Sequence, residues 1–393
     1  MTKRRDPIET PLTSTIVYPS SLFSLEKDEV YPYERFAYNI LHVGVEALNR
    51  KSLPEKIVID FTRLLPASSP WSLNASVRCE PDGAGKPLAF HFSTPELVPA
   101  MMYLFVAVVA HEFLDETQFE NFCRDPQTFR ARIQLFVDGA SAAVRAYRQS
   151  GFGSAVRAGY MHLSLTIQHL YTFADDYNLL AKLIANHEVA HAYIEQFTYA
   201  SVLAECDVRA FEFLADMVGT AWFFHEMIAN TPNTEEYRKF RGMQSYAETI
   251  YSNSLATLRA QQVLLVFMAI AGAQRSGGTV SLAGGKSHPG GLQRYFLQHI
   301  QLYTLIESNF SSVISGDQLR NLQDDWDSRM DTLFRSGLIR PEDLQSLRDD
   351  SNCDALNKCA DLIEELKIGE VKQVGPTLRD FCKRFEEGLN SND

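Results

Sequence analysis

Apolar and polar positions follow two different periods along the chain. Between residues 56 and 93 the period is that of strands. KIVIDF (56–61) is a short β-branched run, and SLNASVRCEPDGAGKPLAFHFS (72–93) has two alternating arms around the turn-forming PDGAGKP. These stretches predict a strand and a hairpin, hence a small sheet before residue 95. Elsewhere apolar residues recur every three or four positions. That spacing predicts helices at 32–50 and near 97–114, 127–148, 177–197, 203–229, 236–273 and 291–308. YMHLSLTIQ (160–168) fits either period. Residues 1–25, rich in Pro, Ser and Thr, predict no regular element. The glycines of RSGGTVSLAGGKSHPGG (275–291) predict a flexible loop, one able to act as a lid.

The pattern as a whole predicts an α+β protein, mostly α-helical, with a small N-terminal sheet and a helical C-terminal region. It divides into an N-terminal extension and helix (1–55), a main domain (56–309) and a more charged helical region (310–393). Within the last, the acidic run DDWDSRMD (324–331) reads as a solvated helix face. With 45% hydrophobic and 22% charged residues, the 393-residue chain has the composition of a globular protein. A net charge of -12, from 37 basic and 49 acidic residues, argues against nucleic acid or an anionic membrane as partner. The apolar runs 97–110 and 263–273 are shorter than the ~20 residues of a membrane span, so no integral membrane segment is expected. MTKRRDPIETP has a basic patch with no apolar run behind it, so no secretory signal is read. The six cysteines form no CxxC pair and are expected as reduced thiols in the cytoplasm.

One stretch carries chemistry. In LIANHEVAHAYIEQF (183–197), His187 and His191 are four apart, so a helix stacks them on one face, able to hold a metal ion between two imidazoles. Glu188 lies beside the first ligand, within reach of a metal-bound water. A catalytic zinc needs a third protein ligand. AECDVRAFEFLADMVG (204–219) offers Glu212, with Glu205 as the alternative. Asp216, one turn beyond Glu212, is placed to accept the free N–H of a zinc-bound histidine. His-Glu also opens AHEFLDE (110–116) and FHEMIAN (224–230), but no second histidine follows four later. His111, Glu112, His225 and Glu226 therefore read as structural.

HEVAH followed by EFLAD resembles the gluzincin metallopeptidases, which pair H-E-x-x-H with a downstream glutamate. SHPGGLQR (287–294) extends the likeness. The order H-E-x-x-H, E-x-x-A-D, H-P-x-x-x-x-R is that of the CAAX prenyl protease and heat-shock membrane metallopeptidase family. The resemblance covers residues 183–294. It implies a zincin-like core, zinc held by His187, His191 and Glu212, Glu188 as general base, Asp216 behind the ligands, and His288 and Arg294 lining the site. The membrane spans of that family have no counterpart in this sequence, so the pattern suits a soluble relative. A soluble peptidase of the phage-exclusion type shares only H-E-x-x-H.

The expected activity is a zinc-dependent endopeptidase, hydrolysing a protein or peptide substrate through a metal-activated water with Glu188 as base. His288 is the expected oxyanion donor, with Arg294 positioning it or binding substrate; Tyr193, Tyr199, Tyr251 and Tyr295 are weaker candidates. If 160–168 is a strand, it is the edge on which an extended substrate would pair. The unassigned flanks suit a regulatory partner, and so a peptidase held in check and released as a defence effector. The reading from a different class is a non-catalytic zinc-binding interaction scaffold.

Overall fold

The computed structural model describes the backbone of four short strands with a turn at 83–84, and scattered positions, single or in pairs, between 131 and 158. Apart from short breaks it also describes residues 174–195 and 207–390. The expected elements at 32–50, 97–114 and 160–168 lie outside the described residues. So do most of 127–148 and most of the glycine-rich loop.

The strands are β1 (Glu9–Thr10), β2 (Lys56–Asp60), β3 (Ser76–Pro81) and β4 (Pro87–Ser93), in the order β1-β2-β4-β3. β3 and β4 pair antiparallel as the hairpin, and β2 runs parallel to β4. Only their backbone course is described. Nine helices follow among the described residues: α1 (Ala174–Glu195), α2 (Val208–Asn230), α3 (Glu235–Phe240), α4 (Tyr246–Arg275), α5 (Gly291–Phe310), α6 (Gly316–Arg335), α7 (Pro341–Ser346), α8 (Asp350–Leu366) and α9 (Val374–Asn390).

This corrects the expected fold class. The part of the protein whose side chains are described is mostly helical and contains no strand, so the class is not α+β with an N-terminal sheet. The burial that is described lies mostly in helices. A hairpin defines a fold class only if its face forms a layer of the core. Here the described core comes from helices; α2 alone buries Phe213, Leu214, Met217, Val218, Phe223 and Phe224.

The chain divides into two units. One comprises Met1–Asn121, Gln127–Glu205 and Ile270–Thr279, and carries the strands and α1. The other comprises Phe122–Pro126, Cys206–Ala269 and Val280–Asp393. In this second unit α2 packs against α5 and α8, and α9 packs against α8 and α5. Among the described residues no helix is long and apolar enough to cross a membrane. Cys353, Cys359 and Cys382 are buried thiols of α8 and α9.

The single helix expected over 236–273 is broken into α3 and α4. Gly242 adopts φ 68°, a left-handed conformation that costs glycine least, and its N–H closes on the Lys239 carbonyl at 3.1 Å. Ser245 then starts α4, its hydroxyl accepting the Glu248 N–H at 3.3 Å. At the head of α5 a different constraint applies. A Cβ on Gly291 would stand 3.0 Å from Leu282 Cδ2 and 3.5 Å from Met268 Cβ, so the glycine permits close packing.

α6 carries the acidic run. Asp324, Asp327 and Asp331 are exposed, while Trp326 turns inward. Its indole stacks on His299 of α5 (centroids 4.2 Å apart, planes at 15°) and on Tyr295 one turn earlier (6.2 Å, 18°). Burial pushes the Tyr295 hydroxyl far up and the His299 imidazole down to about 4, although Gln323 and Asp327 favour its charged form. His299 is thus neutral when folded and titrates near 6.5 when unfolded. Between those values the unfolded chain binds a proton that the native state refuses. Stability is therefore full above pH 6.5 and falls as pH drops towards about 4, by up to ~3 kcal/mol at ~1.4 kcal/mol per unit. His299→Phe, which keeps the stack on Trp326, should flatten this part of the acid limb in urea titrations at pH 7 and pH 4.5.

Candidate metal centre

α1 has 22 residues with no glycine or proline to interrupt it. Leu180, Leu183, Val189, Ala190 and Ile194 are buried at helical spacing and fix which way the helix faces. Asn186 is buried too, and satisfies its own amide by donating to the Lys182 carbonyl at 2.9 Å. On this scaffold His191 is buried and His187 is half-buried. Their Nε2 atoms lie 3.1 Å apart, with ring centroids at 4.6 Å and planes at 85°. Two imidazoles in that edge arrangement aim the same ring nitrogen at one place. They can share a proton there, or an ion.

Glu212 belongs to α2, whose start is well determined. Asp207 caps it, accepting the Arg209 N–H at 2.9 Å, with the Arg209 guanidinium at 3.3 Å and Lys358 of α8 at 3.7 Å. Partial burial pushes the Asp207 carboxyl up, but the Arg209 N–H and the two cations outweigh it and hold the group below its usual range. Glu212 follows on the next turn, and His187, His191 and Glu212 each offer one ligand atom within 4.8 Å of the others. Among the described residues no other such group of His, Cys, Asp and Glu occurs.

The donor set could hold a metal ion. Tetrahedral zinc with ligand bonds of ~2.0–2.1 Å requires donor atoms roughly 3.3 Å apart, and the two ring nitrogens, at 3.1 Å, are close to that separation. Two imidazoles and a carboxylate also make the three-ligand set that leaves a position open. Which metal the group takes is not fixed by this geometry.

The other expected site residues fall in three places. Glu188 follows His187 on α1 and is half-buried. His288, like Glu205 and Tyr199, lies outside the described residues. Arg294 is on the first turns of α5, and its guanidinium is committed to Asp216. Nε donates to Oδ2 and Nη2 to Oδ1, both at 2.7 Å, and the Asp216 side chain is 0% exposed. Gln298, one turn along α5, donates its Nε2–H to the same Oδ1 at 3.2 Å. Sequence reasoning missed Gln298. The signal was its place four residues after Arg294, which puts both on one face of a helix. His225 and Glu226 stand outside the His187–His191–Glu212 group. Burial pushes the His225 imidazole down, as for a neutral core histidine.

No protein-family model, curated protein or solved structure matches the chain.

Removing one partner of a buried ion pair leaves the other charge without compensation, at about 3–5 kcal/mol. Arg294→Met should cost that much in chemical denaturation. A loss under 1 kcal/mol would mean that the Asp216 carboxylate is not dependent on the guanidinium.

Proposed function

We propose that this protein is a zinc-dependent endopeptidase of the gluzincin kind, acting on a protein or peptide substrate. The observation that carries the reading is the convergence of the His187 and His191 Nε2 atoms with the Glu212 carboxylate, next to Glu188. Nitrogen and carboxylate donors in this number suit zinc. The order HEVAH, EFLAD, HPGGLQR supports the gluzincin assignment over a merely structural ion.

His187, His191 and Glu212 would hold the zinc, which when bound acidifies a water and polarises a substrate carbonyl. Glu188 does the proton work. Fixed by α1 directly beside the first ligand, its carboxylate takes a proton from the attacking water and returns it to the leaving amine. A base on a rigid helix needs no reorganisation between those two events. Asp216 and Arg294 act further back. Their buried pair holds α2, and Glu212 with it. A peptidase needs this order because the base has to keep one position relative to the ion through both proton transfers.

Purified protein should carry about one ion per chain. His191→Ala and Glu212→Ala should lose it, whereas Glu188→Gln should retain it and lose about 10²–10⁴-fold in hydrolysis. Metal analysis reads the first part. Mass spectrometry of new protein N-termini in cells expressing wild type or Glu188→Gln reads the second. The same termini in both would overturn the peptidase assignment.

A further inference from the structure

We infer that Gln298, which belongs to none of the recognised motifs, is a positioning residue for Glu212. The inference rests on the metal reading above. Asp216 lies one turn after Glu212 on α2, so whatever fixes the Asp216 carboxylate fixes the backbone that presents Glu212. Arg294 supplies two donors from one planar fork, at 2.7 Å each. A fork sets the plane of the carboxylate relative to the guanidinium, but the two groups can still move together on the long Arg294 side chain. Gln298 breaks that freedom. Its amide donates at 3.2 Å to Oδ1 alone, from a point one helical turn away. Being neutral, it adds a donor without a second cation in a place where the existing ion pair is already balanced.

The first turns of α5, which make these bonds, are themselves held on two sides. At their start, the Gln293 side chain accepts the Gly290 N–H at 2.8 Å, while the Arg294 N–H donates to the Gly290 carbonyl at 3.1 Å. On their other face, Tyr295 and His299 stack on the Trp326 indole. Each of these residues directly follows one of the donors in sequence. The same rotation of α5 that stacks 295 and 299 on α6 therefore turns 294 and 298 to α2. Gln298 is 2% exposed, so water does not substitute for its bond.

Cobalt(II) titration of the full-length protein tests this, because Co(II) takes the same nitrogen and oxygen donors and its d–d absorption reports ligand geometry. Wild type should bind one Co(II) per chain and His191→Ala should not; equal behaviour of these two overturns the metal reading and this inference with it. Given that difference, Gln298→Met, which keeps volume and removes the donor, should weaken Co(II) binding about tenfold and shift the d–d band. The melting of its metal-free form should stay cooperative. Gln298→Glu, which also adds a charge beside Asp216, should weaken binding further. Either variant, folded, with wild-type affinity and an unchanged band overturns the role of Gln298 while leaving the metal site standing. Failure of both metal-free variants to fold would make Gln298 a core residue only, and would overturn the role as well.

Discussion

A carboxylate with no exposed surface, in the middle of a helix, cannot be there unless its charge is met. Asp216 is such a group, and the Arg294 fork meets it with two bonds of 2.7 Å. An ion pair of this kind is a weak source of net stability, because desolvation offsets most of the attraction. Its strength is directional. Apolar side chains around α2 would tolerate small slides and rotations, whereas a bidentate pair holds the carboxylate to one orientation on the guanidinium. The position of Glu212, one turn away, is therefore set by a charge contact, and the apolar packing fills in around it.

The two halves of the candidate metal-holding group depend on different physics. His187 and His191 share a helix, so the 3.6-residue repeat alone brings their rings together, and only the rotamers need support. Glu212 has no such local guarantee. It needs α2 to start at a defined residue, which the Asp207 cap ensures, and to keep a defined rotation, which α5 imposes. α5 in turn takes its rotation from the indole of Trp326. The stack with His299 holds an imidazole neutral in the core, so part of the acid sensitivity of the fold arises in this support and not at the ligands.

These differences explain what could be read in the sequence. The histidine pair was legible because its geometry is local, and Glu212 and Asp216 were legible as a spaced pair on one helix face. α1, α2 and α5 followed from periodicity, with ends displaced by a few residues, while past residue 310 only a helical region was expected. The break at Gly242 was not foreseen, since one glycine in an apolar-periodic run does not reveal whether it will turn left-handed. The fold class failed for a different reason. Alternation at 72–93 does mark a hairpin, but no pattern within a segment tells whether its face becomes a layer of the core. Arg294 was picked out only by likeness to a family motif, and its partner in the structure is Asp216. Gln298 was invisible because a lone buried glutamine has no composition signal; its meaning comes from the carboxylate it faces.

That last case bears on how a distant donor is held in place. Two donors on one helix move together, so the third is the one that needs separate support. Adding a second cation beside Asp216 would tighten α2 but leave a buried excess charge. An apolar residue would leave the fork and the carboxylate free to move together. A neutral donor from the same helix face avoids both, and only a long amide reaches the carboxylate oxygen without a charge of its own. The side chain at 298 is thus constrained from two directions, by the electrostatics of the ion pair and by the geometry of the ligand it indirectly carries.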